Sequence, residues 1–203
     1  MMTNIMIIVL TASSLHGCTA LSHVGSRMWS RSFFTTASSV RSAWNVCMGQ
    51  TEQRLDELGI TLPDMPAPLA SYTPWTRSGN MVYCSGHVPF KEDMKTLYTG
   101  TVGDGVSTEE ASGIARLIGL ELVSTLKAAV GDLDKVRRIV KIVGFVNCID
   151  SFAEQPEVIN GCSNVLVEVF GSERGTHARS AVGTNSLPRQ VPVEIELIAE
   201  VDD

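Results

Sequence analysis

The chain has 203 residues and a mass of 21.9 kDa, enough for one ordinary domain and a leader but cramped for two domains. A hydrophobic share of 44% against 19% charged residues can bury a core and excludes wholesale disorder, and no run approaches the ~18 apolar residues of a membrane-spanning helix. The formal charge of −6 gives no general field for phosphate backbones, which argues against nucleic acid as a partner.

At the N-terminus the first acidic residue is Glu52, whereas Arg27, Arg31 and Arg41 precede it among abundant Ser and Thr. Basic, Ser-rich and acid-poor composition suits an organelle import helix. Residues 1–46 therefore read as a transit peptide or a disordered leader, with Met28 as an alternative start. The expected location is the mitochondrial matrix, with the cytoplasm as the alternative. Without the three leader arginines, 13 basic and 22 acidic residues remain from Trp44 onward, a net charge of −9. The five cysteines, Cys18, Cys47, Cys84, Cys148 and Cys162, form no CxxC pair and do not cluster with the histidines, which argues against structural zinc and a disulfide framework. Cys84 and Cys148 read as inert core residues.

Thr51 to Leu58, followed by Gly59, reads as a short helix with a terminating glycine. Pro63, Pro66 and Pro68 enforce an extended connection. Two β-prone runs follow, Ala70 to Thr76 and Met81 to Ser85, separated by the hairpin signal Ser78-Gly79-Asn80. A third, weaker strand is expected over Thr96 to Thr99. Ser107 stands three residues before Glu110, a capping box that opens a helix running to Gly131. Arg138 to Asn147 is apolar on both alternating sets, Ile139/Val143/Phe145 and Val140/Ile142/Val146, so both faces of this strand must be covered. A helix from Pro156 to Phe170 stops at Gly171. Arg179 to Thr184 and Pro192 to Val201 read as a last hairpin. The expected fold is α+β, a mixed sheet of about six strands with two helices on one face. The second apolar face calls for a partner subunit, so the chain reads as an obligate oligomer.

Parity sorts the last two strands into faces. Val193, Ile195, Leu197, Ala199 and Val201 form one apolar row, and Glu194, Glu196 and Glu200 point the other way. Val182 fits the core row, which would place Arg179, Ala181 and Gly183 on the same far face as the glutamates. Arg179 then reads either as an interface ion pair or, with room left by Ala181 and Gly183, as a fork for a small carboxylate. His87 and His177 read as hydrogen-bonded packing residues, with a catalytic role as the alternative.

Tyr72 through Gly86, containing Ser78-Gly79-Asn80 and Ser85-Gly86, together with Asn160, Ala178-Arg179-Ser180, Leu187-Pro188 and Val193-Glu194-Ile195-Glu196, resembles the RidA (YjgF-type) reactive enamine/imine deaminase family. The resemblance covers residues 51–203. It implies a single chorismate-mutase-like domain, a homotrimer, and hydrolysis of 2-iminobutanoate- or 2-iminopropanoate-type compounds to 2-oxo acids and ammonia without a metal or organic cofactor. Arg179 matches the residue that holds the substrate carboxylate, and Glu194 matches the one that positions or activates water. Tyr72, Ser85, Gly86 and Asn160 match pocket residues. Ala181 stands where many relatives have cysteine, and His87 where glutamine is frequent. The alternative is a non-catalytic trimer that binds a 2-oxo acid. A ribonuclease role fits poorly with the net charge of −9 carried from Trp44 onward.

Overall fold

The computed structural model describes residues 49–64 and 71–203; the leader reading of residues 1–46, and Pro66 and Pro68, lie outside this range. Helix α1 (Gln50–Glu57) buries Thr51 and Leu55 and ends before Gly59, whose φ of +65° favours glycine. Its first turn is capped from far away. Asp134 accepts hydrogen bonds from the Gln50 and Thr51 amides at 2.6 and 2.9 Å and from the Thr51 hydroxyl.

Strands β1 (Trp75–Ser78) and β2 (Met81–His87) form the expected hairpin over Gly79, whose φ is +58°. β1 starts at Trp75; of the expected run, Ala70 lies outside the described residues, and residues 71–74 stay out of the ladder, where Pro74 has no N–H to give and only its carbonyl takes part, accepting from the Ser85 amide. The strand expected over Thr96 to Thr99 is not formed. Asp93 instead caps a turn, accepting from the Lys95 and Thr96 amides and the Thr96 hydroxyl, and Leu97 makes one isolated bridge to Phe90. Just beyond, β3 (Thr101–Val102) and β4 (Gly105–Val106) pair as a small ribbon.

Helix α2 (Thr108–Val130) begins at the capping box of Ser107 and Glu110 and ends at Gly131 (φ +78°), as read from the sequence. After β5 (Val136–Asn147), helix α3 (Gln155–Gly175) loses helical geometry at Gly171 (φ +76°), the expected stop, and one more turn follows. Strands β6 (Ala178–Thr184) and β7 (Val193–Val201) complete the chain.

The main sheet has five strands in the order β1-β2-β7-β5-β6. β6 and β7 are therefore not a hairpin. β5 lies between them, antiparallel to β7 and parallel to β6, because α3 carries the chain back in a crossover. Helices α2 and α3 cover one face, over Val82, Ile139, Ile142, Val146 and the fully buried row Val193, Ile195, Leu197, Ala199 and Val201. An irregularity between Ile139 and Lys141 turns both Ile139 and Ile142 to the helices, which leaves Val143 and Phe145 half-buried on the other face. That second face also carries Val182 and Tyr83, 43% and 41% exposed.

Candidate functional site

Arg179 lies on β6, at the edge of the sheet, and its register fixes its face. It pairs with Ile142, which pairs with the buried Leu197 of β7, so Arg179 projects towards the helices. Val182 pairs with Phe145, which pairs with Glu194, so Val182 shares the face of the glutamates. The expected arrangement is therefore inverted: Arg179 and Glu194 lie on opposite faces of the sheet within one protomer. Parity gave the alternation along β6 correctly and its phase wrongly. Ala181 and Gly183 are small because α3 packs close, not because a far-face cavity opens beside them. Ala181 packs on the core, and a Cβ on Gly183 would stand 3.0 Å from both Cys148 Sγ and Gln155 Nε2.

Helix α3 supplies the partners of Arg179. Nη1 donates to Asn160 Oδ1 at 2.8 Å and to Ser163 Oγ at 3.2 Å. Asn160 and Ser163 are three residues apart and so share one helix face. Both bonds come from Nη1; among the described residues, Nη2 and Nε have no hydrogen-bond partner, and no carboxylate pairs with this arginine. The side chain is exposed in the single chain, with two parallel donors open. Ser163 was not singled out from the sequence, although its spacing from Asn160 was a usable signal.

The second group of residues gathers where β2 meets β7. Cys84 pairs with Leu197 and His87 with Ile195, so Ser85 and Gly86 oppose a single residue and form a bulge. Gly86 is required there. A Cβ would sit 2.0 Å from Glu194 Oε1, so the half-buried carboxylate lies directly over the Gly86 backbone. Burial raises the pKa of Glu194 above the usual carboxylate value of 4.5, and the neighbouring Glu196 charge adds to the rise. Ser85 Oγ donates to the Thr73 carbonyl at 2.7 Å, which ties the segment before β1 to the bulge. Tyr72 stands next to that segment, 47% exposed. Ser85, Gly86 and Glu194 thus belong to one locus, with Tyr72 one residue before Thr73 in the chain, and Asn160, Arg179 and Ala181 belong to another.

His87 is a packing residue. Its Nδ1 and Nε2 lie 2.7 and 2.8 Å from the Ser85 carbonyl and Thr125 Oγ1, and burial lowers its pKa. Cys84 and Cys162 are buried thiols pushed up to about 12, far from nucleophilic.

A mixed five-stranded sheet with two long helices on one face places the molecule in the chorismate-mutase-like class of α+β folds. The chain belongs to the YjgF/chorismate mutase-like family, described as putative endoribonucleases, whose model matches residues 52–201. It is 40% identical over 158 residues to protein TCP17 of Trypanosoma cruzi, covering 78% of this chain and 98% of that one. It is 32% identical over 142 residues to the 2-iminobutanoate/2-iminopropanoate deaminase of Salmonella typhimurium, with coverages of 69% and 94%. Among solved structures it resembles Atu1372 from Agrobacterium tumefaciens, a protein of unknown function, with a TM-score of 0.67 and 45% identity over 75% of this chain and 94% of that one.

Proposed function

We propose that three copies assemble with the apolar second faces of their sheets inward, so that the β6 edge of one protomer meets the β2–β7 bulge of its neighbour. The composite cleft then hydrolyses small 2-imino acids to 2-oxo acids and ammonia. One observation carries this reading. The arginine has an open fork on one face of the sheet, the carboxylate lies over a glycine on the other, and only a second copy can bring the two together. The deaminase activity named for the Salmonella relative supports the same reaction class.

In this reading Nη2 and Nε of Arg179 hold the substrate carboxylate side-on, while Asn160 and Ser163 keep the guanidinium in plane. The partly desolvated Glu194 takes a proton from water as its oxygen attacks the imine carbon. It passes that proton to the imine nitrogen, which leaves a neutral tetrahedral carbinolamine, and then relays the carbinolamine hydroxyl proton to the amino group as the C–N bond breaks to the 2-oxo acid and ammonia. Water and proton transfer close the balance. Tyr72 and the bulge at Ser85-Gly86 wall the cleft. The acid-poor leader, and the mitochondrial location of the yeast relative MMF1, 30% identical over 136 residues, support action inside an organelle.

The test generates imino acid with an amino-acid oxidase, with semicarbazide as the competing trap. Wild type is expected to lower semicarbazone yield and Arg179→Ala to restore it, with a solution mass of three chains for both. Equal rates for the two proteins overturn the reading. Binding of 2-oxobutyrate without turnover supports the non-catalytic alternative.

A further inference from the structure

His177, between α3 and β6, completes a directed chain of hydrogen bonds that ends on Arg179. Its Nδ1 is 2.6 Å from the Gly175 carbonyl oxygen. That oxygen can only accept, so Nδ1 carries the proton and, in the neutral ring, Nε2 is an acceptor. Ser163 Oγ lies 3.1 Å from Nε2 and donates its hydroxyl proton to it. The serine oxygen is then free to accept from Arg179 Nη1, whose other hydrogen goes to Asn160. The start of the chain is closely packed: a Cβ on Gly175 would lie 2.6 Å from the Leu166 carbonyl, so the turn after the Gly171 break is pressed against an earlier turn of α3.

We infer that His177, acting through Ser163, is the positioning residue that holds the Arg179 guanidinium ready for a carboxylate, and that protonating the imidazole releases it. A protonated ring donates from Nε2. Ser163 Oγ then faces two donors, its own hydroxyl proton loses its acceptor, and a second positive charge stands near the guanidinium. Among the described residues, the charged side chain that acts on the ring is Arg179 of β6; α3 brings Ser163. Burial lowers the affinity of the ring for a proton below the ordinary 6.5, the bond to Gly175 opposes this, and the Arg179 charge lowers it further, so the ring is neutral at pH 7.

The kinetic part of this inference rests on the deaminase reading; the geometric part does not. The experiment therefore has two arms on the full chain. In the first, phenylglyoxal labels Arg179 at neutral pH and mass spectrometry reads the rate without substrate. His177→Leu and Ser163→Ala are expected to label about threefold faster than wild type, and His177→Gln, which keeps an acceptor near the Nε2 position, at close to the wild-type rate. In the second arm, His177→Leu raises KM for 2-iminobutanoate about tenfold with kcat within about twofold, and His177→Gln recovers most of the loss. Wild-type KM climbs as pH falls below the ordinary histidine value of 6.5, and that of His177→Gln stays flat over the same range. Identical labelling of wild type, His177→Leu and Ser163→Ala overturns the inference. Absence of turnover in wild type overturns the deaminase reading instead, and the labelling order still decides the role of His177. Should His177→Leu fail to fold, His177→Ala, which also removes the Nε2 acceptor, takes its place, and labelling of His177→Ala at the wild-type rate overturns the inference.

Discussion

Glu194 owes its raised pKa first to burial and then to Glu196, and the two causes can be separated by substitution. In its proposed role as general base it must be ionised, so kcat is expected to fall as pH drops through its elevated pKa, at a higher pH than an ordinary carboxylate would give. Glu196→Gln removes the second cause and moves that inflection down; a pH–rate profile reads the shift. Glu194→Gln removes the base and lowers kcat by ~10²-fold or more with little change in KM. Glu121 is a different case. It is 2% exposed on α2, accepts from the Phe90 amide through Oε1, and has no hydrogen-bond partner at Oε2 among the described residues. Burial pushes its pKa up from 4.5 to about 8. The folded state therefore keeps a proton that the unfolded chain gives up. The contribution of Glu121 to stability is greatest below the unfolded pKa of 4.5 and is lost as pH rises to about 8. Urea unfolding of wild type and Glu121→Gln across that window reads the loss as the difference between the two pH dependences, with wild type falling relative to the variant as pH rises.

Helices α2 and α3 are held at a distance set by glycine. A Cβ on Gly161 would lie 1.9 Å from the Ser112 carbonyl of α2, and one on Gly119 would lie 2.5 Å from Val165 Cγ1 of α3. Gly161→Ala must push the helices apart, with a cost of ~1–3 kcal/mol in chemical denaturation. Gly113 is also in α2 but has nothing within 4 Å of an added Cβ, so Gly113→Ala is expected to add ~0.5–1 kcal/mol through helix propensity alone. Because Asn160 adjoins Gly161, the first change also shifts the partner of Arg179. Its effect on KM should exceed that of Gly113→Ala, which leaves the site in place. Helix α1 depends on a contact between elements: its N-terminus is capped by Asp134, 84 residues away.

At the scale of the molecule, one sheet face is closed by α2 and α3, and the other presents Tyr83, Phe145 and Val182 beside half-buried glutamates. A charge placed among these apolar groups opposes burial against a second copy. For the proposed trimer, Val182→Asp is expected to lower the solution mass from three chains to one and to abolish the proposed turnover while leaving Arg179 and its bonds to α3 intact. A Val182→Asp protein that keeps both its mass and its activity would count against the composite cleft.

Local signals were decisive wherever the cause of a structure lay within a few residues. Ser107 and Glu110 placed the start of α2, Gly79 the hairpin, Gly171 the break in α3, and strict alternation from Val193 to Val201 the buried row of β7. These features arise from hydrogen bonds and backbone torsions that neighbouring residues settle among themselves. The face of Arg179, the position of β5 between β6 and β7, the bulge that sets Gly86 beneath Glu194, and the cap that Asp134 gives α1 were decided only in the tertiary structure. Alternation along a strand has a period but no phase. For β6 the phase came from its pairing with β5 and from how closely α3 crosses Gly183, and those constraints join residues far apart in the chain.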